Sequence, residues 1–146
     1  MHVMADAVEL NITVPLFHIA DPTAEKIKAQ GLNKVGLLGT KYTMEQDFYK
    51  GRLLNKYNLK VLIPEKDDRN IIHDIIYIKL CLGKINQASK KKYVKIIERL
   101  KQQGAQAIIL GCTEIGLLVK QEDVSFPIFD TTLIHAQAAV NLALSN

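Results

Sequence analysis

Short apolar runs alternate with amphipathic helical stretches along nearly the whole chain, and this alternation restricts the fold more than any other feature. We predict strands over residues 15–19, 34–39, 60–63, 107–110 and 127–129. Helical spacing of apolar residues predicts helices over 2–10, 21–30, 44–57, 71–80, 86–103, 115–120 and 132–144. Because the strands are continuously apolar, the pattern predicts an α/β fold with a parallel sheet and helices on both faces.

The composition is that of a soluble globular domain. The chain has 146 residues, 48% hydrophobic and 23% charged, so one domain is expected. The net charge of +4 is mild, and the run Lys90 to Lys92 is interpreted as a solvated helix face, with an anion or nucleic-acid site as the alternative. The sequence contains no basic patch with interleaved aromatic residues, so we expect no nucleic-acid partner. It also contains no secretion signal and no apolar run of membrane length, so we expect no membrane partner and a cytoplasmic location.

Cys112 is the strongest candidate for chemistry because it follows a buried strand and precedes a helical stretch. Helix N-termini favour anions, which predicts a thiol pKa below its free value and an available thiolate. Thr113 adds a hydroxyl and Glu114 a carboxylate beside the thiol. The alternative at this point is a small buried cysteine in a strand-to-helix turn. The segment ending at Thr40 has the same pattern of an apolar strand, a glycine and a small polar residue, so both segments should meet at the carboxyl edge of the sheet.

The remaining candidate residues are weaker. The two cysteines lie far apart in sequence, which excludes a disulfide framework or a zinc spacing, and Cys81 is predicted to pack in the core. His135 is a candidate for the border of an active site, with a purely structural role as the alternative. No metal-ligand spacing and no glycine-rich nucleotide motif occur, so we expect no metal and no cofactor.

Several motifs in the correct order resemble the aspartate/glutamate racemase family, the cofactor-independent amino-acid racemases. They are Ile109 to Ile115 (ILGCTEI), Val35 to Thr40 (VGLLGT), Thr43 to Tyr49 (TMEQDFY) and Asp130 to Thr132 with His135 and Ala136. The resemblance covers nearly all of the chain, and the TMEQDFY stretch is similar to the broad-specificity branch.

The resemblance implies a function and a set of site residues. It implies racemisation of an amino acid without pyridoxal phosphate or metal, through two groups that face the α-carbon from opposite sides. Carried over, Cys112 is the acid/base of the C-terminal lobe, Thr113 and Thr40 contact the substrate, and Glu114 tunes the thiol or binds the amino group.

The resemblance also implies that part of the family's fold is absent. The second catalytic group normally stands in a Cys-Asn-Thr motif followed by a Met-His-like pair, and this sequence begins Met1-His2. We therefore expect an N-terminally truncated racemase, a single region over 1–146. Roughly 15–130 would be the C-terminal lobe, and 1–12 and 131–146 would be helices of the incomplete N-terminal lobe.

Three interpretations follow for the isolated chain: an aspartate-racemase-like isomerase, a non-catalytic remnant, or one half of a split enzyme. The expected partners are an amino-acid substrate and either a second copy of the chain or a separate N-terminal half. Exposed apolar surface is expected where the missing lobe would pack.

Overall fold

A parallel four-stranded sheet forms the centre of the protein in the computed structural model, which describes residues 4–145. The strands are β1 (Lys34–Leu38), β2 (Lys60–Leu62), β3 (Ala107–Leu110) and β4 (Ile128–Asp130), in the order β2-β1-β3-β4. All three neighbouring pairs are parallel. The predicted α/β class is confirmed.

Helices connect the strands and cover both faces of the sheet. They are α1 (Ala5–Glu9), α2 (Ala20–Ala29), α3 (Lys41–Glu45), α4 (Asp47–Tyr57), α5 (Lys66–Ile78), α6 (Gln87–Gln102), α7 (Ile115–Leu118) and α8 (Thr131–Leu144). Short 3-10 helices span Leu80–Leu82 and Gln121–Asp123. Residues 2 and 3 of the predicted first helix lie outside the described residues.

Two apolar layers sandwich the sheet because successive strand side chains point to opposite faces. Leu38 and Leu110 pack on one face with residues of α5, α6 and α7. Leu37 and Ile109 pack on the other face with residues of α2 and α4 and with Ile134 of α8. The strand positions between the two layers are therefore apolar on both faces, and polar residues stand only at the strand ends Lys34, Lys60 and Asp130, which explains the apolar runs in the sequence.

The predicted strand over 15–19 is wrong. This segment has no regular secondary structure, and Pro15 is exposed while Phe17 is only half-buried. The chain turns at His18, whose carbonyl oxygen accepts a hydrogen bond from the Asp21 N–H at 3.0 Å and whose Nδ1 accepts one from the Ala20 N–H at 3.1 Å. The backbone groups at this turn form hydrogen bonds at the start of α2. An apolar composition alone therefore does not make a strand here.

Asp21 ties α2 to α4. Its carboxylate accepts hydrogen bonds from Arg52 Nε at 2.7 Å, Arg52 Nη2 at 2.8 Å and Lys56 Nζ at 2.8 Å. Burial by itself would raise the pKa of Asp21, but these two cations outweigh it and hold the pKa well below its usual range.

Apolar side chains remain exposed along α8 and the N-terminal segment. Leu144 is 81% exposed, Leu133 58%, Leu10 87% and Val14 67%. None of the helices in residues 4–145 is long and apolar enough to cross a membrane.

Candidate active site

The ends of β1 and β3 lie side by side at the carboxyl edge of the sheet. Leu38 is in register with Leu110, and the Gly111 N–H donates to the Leu38 carbonyl at 2.7 Å. Thr40 and Cys112 each stand two residues beyond these paired ends, so both follow neighbouring parallel strands at one edge. This confirms the predicted convergence of the two segments. Ligands bind at this edge in open α/β sheets.

Glycines allow the two strand ends to approach each other. A methyl group placed on Gly39 would lie 3.0 Å from Thr43 Cβ and 3.5 Å from the Gly111 carbonyl oxygen. One placed on Gly111 would lie 3.1 Å from the Leu38 carbonyl oxygen. The 3.0 and 3.1 Å distances are tighter than ordinary contact, so a larger residue at Gly39 would displace Thr43 and one at Gly111 would push the two turns apart. The glycines that precede Thr40 and Cys112 therefore set the spacing of the site.

Cys112, Thr113 and Glu114 form a small hydrogen-bonded group just beyond β3. The Cys112 thiol donates to Glu114 Oε2 at 2.8 Å, and the Thr113 hydroxyl donates to the same oxygen at 2.8 Å. Cys112 is half-buried and packs against the core layer that contains Ile115, whereas Thr113 is exposed. The thiol thus lies between apolar core and solvent with a carboxylate as its partner.

The environment of Cys112 raises the pKa of its thiol to about 12. Burial is the largest cause, and the carboxylate of Glu114 adds to it by accepting the thiol hydrogen bond and by charge repulsion. The predicted lowering of this pKa is therefore wrong. The following helix α7 has only four residues, and its N-cap is Glu114 rather than Cys112, so the dipole is short and a negative charge stands where a thiolate would form.

The same contacts lower the pKa of Glu114. Hydrogen bonds from Cys112 and then Thr113 stabilise the carboxylate, and burial opposes them only in part. At neutral pH the pair is consequently a protonated thiol and an ionised carboxylate. Of the two residues, Cys112 carries the proton available for transfer.

Thr40 is the N-cap residue of α3, and its hydroxyl interacts with Thr43 in the same helix. The Thr40 Oγ1 accepts from the Thr43 N–H at 3.4 Å and lies 3.2 Å from Thr43 Oγ1. The side chain is half-buried at the strand edge. Substrate contacts by Thr40 and Thr113 and acid/base chemistry by Cys112 stay predictions.

The end of a third strand, β4, lies beside the end of β3. The buried Thr131 hydroxyl donates to the Leu110 carbonyl at 2.8 Å. Asp130 caps α8 by accepting from the backbone N–H of Thr132 at 3.0 Å and of Leu133 at 3.2 Å. These bonds fix the end of β3 from the side opposite β1.

His135 stacks on Phe17, with ring centroids 4.8 Å apart. Among residues 4–145, its buried Nδ1 has no hydrogen-bond partner. A position of His135 at the border of the active site stays a prediction.

Cys81 is exposed, so its predicted place in the core is wrong. It is the middle residue of the 3-10 helix Leu80–Leu82, in which only Leu80 is buried, and Gly83 then ends the helix with a φ of 69°. The three consecutive apolar residues at 80–82 predicted burial, but this turn buries Leu80 alone among them.

The described residues contain no group of three or more His, Cys, Asp or Glu side chains that could hold a metal ion.

Comparisons with known proteins give the family. Residues 1–139 match the Asp/Glu/Hydantoin racemase family. The chain belongs to this family. A candidate Asp/Glu racemase from Yersinia pestis has a crystal structure that matches with a TM-score of 0.95 and 53% identity. An aspartate racemase homologue from Pyrococcus horikoshii OT3 matches with a TM-score of 0.88 and 38% identity.

These racemase-family structures are longer than this chain. The match covers 99% of this chain and 63% of the Yersinia chain, and 97% of this chain and 62% of the Pyrococcus chain. An uncharacterized protein from the pnlA 3' region of Pectobacterium carotovorum subsp. carotovorum is 33% identical over 107 residues, which cover 73% of this chain and 69% of that protein. The chain thus spans less than two thirds of the racemase-family structures it matches.

Proposed function

We propose that this chain carries one acid/base group of a cofactor-independent amino-acid racemase, namely the thiol of Cys112. The observation that carries the proposal is the 2.8 Å hydrogen bond from Cys112 Sγ to Glu114 Oε2 at the carboxyl edge of the sheet, in a chain of the racemase family. A racemase needs a proton donor on one face of the α-carbon and a base on the other. A thiol with a raised pKa is suited to the donor role.

The resting state proposed for Cys112 is the acid. With its pKa at about 12, the thiol stays protonated near neutral pH, and the proton goes to the α-carbon after a base on the opposite face has removed the original one. Glu114 cannot take the proton at rest, because its own pKa is lowered by the same hydrogen bond. The reverse reaction requires the thiolate, so it requires a change in the surroundings of the thiol.

Substrate binding is proposed to supply that change. An amino-acid ammonium group placed against the Glu114 carboxylate would neutralise the charge that helps to raise the pKa of Cys112. Glu114 would then both bind the amino group and tune the thiol. The exposed Thr113 and the half-buried Thr40 are proposed to bind the substrate carboxylate at the two neighbouring strand ends.

The group on the opposite face is proposed to come from the part of the racemase fold that this chain does not span. The exposed apolar side chains of α8 and the N-terminal segment, Leu10 and Leu144 above all, support packing against such a part. That part is proposed to pack on these exposed side chains, and a second copy of the chain is the alternative. Size-exclusion chromatography with light scattering distinguishes a dimer of this chain from a monomer that awaits a different partner.

The test of the proposed function is exchange at the α-carbon. Purified chain in D₂O is incubated with L-aspartate, L-glutamate or L-homoserine, and proton NMR follows loss of the α-proton signal. Exchange that needs Cys112 and persists in the matched Cys81→Ser variant supports the proposal and names the substrate class. If a folded chain exchanges none of the amino acids at any pH, or if Cys112→Ala exchanges as fast as the unaltered chain, the proposal is wrong and the chain is a non-catalytic remnant.

A further inference from the structure

A cavity of about 310 Å³ lies between α3 and α5, next to the turn that contains Thr40. Its walls are formed by residues of α3, by the residue that follows α3 and by one residue of α5, namely Lys41, Tyr42, Glu45, Gln46 and His73. All of these side chains are polar or charged. The volume is at the lower end of the range for small-molecule pockets, so the cavity suits a small polar ligand.

The charges around this cavity leave one cation without a partner. Arg69 Nε donates to Glu45 Oε1 at 2.8 Å, so the carboxylate in the cavity wall is neutralised by an ion pair. The half-buried Lys41, in contrast, has no ion pair and no hydrogen bond from its side chain among residues 4–145. A partly buried ammonium group that no carboxylate of the chain neutralises favours an anion from outside the chain.

His73 supplies a hydrogen-bond donor to the same cavity. Its Nδ1 accepts a hydrogen bond from the Lys41 N–H at 3.4 Å, which places the proton of the neutral imidazole on Nε2. The ring also packs on Tyr77, with ring centroids 4.7 Å apart. Both contacts hold the orientation of the ring, and Nε2 has no acceptor among residues 4–145.

Two neutral side chains add further donors. The Tyr42 hydroxyl and the Gln46 amide stand on exposed side chains of the cavity wall, and each can donate a hydrogen bond. The cavity therefore combines one unpaired positive charge with several neutral donors. This combination matches an oxyanion, because its oxygen atoms accept hydrogen bonds and its charge strengthens them.

We propose that the cavity between α3 and α5 binds a small oxyanion, a phosphate or a carboxylate, through the ammonium of Lys41 and the Nε2–H of His73. A bound oxyanion would link α3 to α5 directly beside Thr40, and would thereby act on the proposed substrate contact of Thr40. This effect rests on the proposed racemase function, whereas binding of the oxyanion does not.

The first experiment titrates the isotopically labelled chain with inorganic phosphate, and separately with acetate, at a constant ionic strength set with chloride. NMR follows the backbone N–H signal of Lys41 and the imidazole signals of His73. We expect both sets of signals to shift and to saturate, with a Kd on the order of millimolar, because only a few charge-assisted hydrogen bonds hold the ligand.

Matched lysine variants test whether the charge of Lys41 is responsible. Lys41→Gln should weaken binding about fivefold, and Lys41→Arg should retain it. Lys28→Gln is the control, because it removes the same charge from an exposed position of α2 and should leave the Kd unchanged. Shifts that do not saturate, shifts spread evenly over the lysines, or equal weakening by Lys41→Gln and Lys28→Gln would each overturn the site.

Exchange at the α-carbon distinguishes two sources of the oxyanion. If phosphate slows exchange of L-aspartate and L-glutamate but not of L-homoserine, the cavity takes a side-chain carboxylate of the substrate. If phosphate changes the exchange of all three alike, or of none, the oxyanion is a separate ligand. Binding that depends on Lys41 in a chain that exchanges no amino acid would leave the oxyanion site standing and refute the proposed function. Exchange in a chain that binds no oxyanion would refute the site alone.

Discussion

Replacing Glu114 with glutamine should make Cys112 easier to ionise. The carboxylate accepts the thiol hydrogen bond at 2.8 Å and, after burial, is the main cause that raises the thiol pKa to about 12. A neutral amide removes the repulsion, whereas the burial remains. We therefore expect the pKa of Cys112 to fall in the variant but to stay above that of a free thiol.

The magnitude follows from the ionised fraction and the nucleophilicity of the thiolate. At pH 8.5 a free thiol with a pKa of about 8.5 is roughly half ionised, whereas one with a pKa near 12 is ionised to about 0.03%. A more basic thiolate is more nucleophilic, with a Brønsted coefficient of about 0.45, which recovers roughly 40-fold of that deficit. Cys112 should consequently react about 40-fold more slowly than a free thiol, and Glu114→Gln should speed the reaction by about 3.5-fold for each unit by which the thiol pKa falls.

The assay is alkylation by iodoacetamide as a function of pH, in a Cys81→Ser background that leaves a single thiol. The rate at Cys112 should rise about tenfold for each pH unit up to pH 10 without a plateau. Thr113→Val is the matched control, because it removes a hydrogen bond to the same carboxylate oxygen but keeps the charge. A plateau near pH 8.5 in the starting protein, or a slower rate in Glu114→Gln, would refute the reasoning.

Three further predictions concern the structure around the site. Asp21→Asn should lower the free energy of unfolding by about 2 kcal/mol in urea denaturation, because charged hydrogen bonds are lost. Since the pKa of Asp21 is lowered in the fold, the stability that it contributes should be present above pH ~4 and decline as the pH falls further. Thr131→Val should cost about 1–2 kcal/mol, because the buried Leu110 carbonyl loses its hydroxyl donor. Gly116→Ala should lower the thermal midpoint, because a methyl group there collides with Asp130 Oδ2 and displaces the cap of α8, which is typically worth about 1 kcal/mol.

Much of the fold could be predicted from the sequence because a parallel sheet covered on both faces leaves a clear signal. The runs that became β1, β2, β3 and β4 are apolar at consecutive positions, and helical spacing between them is regular. The segment 15–19 is equally apolar, but its turn at His18 depends on backbone bonds that composition does not record.

The location of the candidate site was also predictable, whereas its electrostatics were not. Two strand ends with glycine and a small polar residue had to meet at one edge, which placed Thr40 and Cys112. The sign of the pKa shift of Cys112 depends on where the Glu114 carboxylate points and on how far the thiol is buried. Both are properties of packing, and the sequence pattern of a cysteine before a helix suggested the opposite sign.

The exposure of Cys81 was missed for a similar reason. A run of Leu80, Cys81 and Leu82 favours a buried helix turn, and the structure instead has a 3-10 turn that exposes the cysteine.

Cys112 is proposed to serve one face of the α-carbon, and the stereochemistry of exchange reports on that role. The preferred amino acid is incubated in D₂O as the L- and as the D-isomer, and chiral chromatography with mass detection follows both configuration and deuterium content. We expect the chain alone to introduce deuterium into one enantiomer with retained configuration, faster at higher pH, and we expect Cys112→Ala to abolish this exchange. Inversion by the chain alone would contradict a one-sided role of Cys112, because a second acid/base group would then have to lie within this chain.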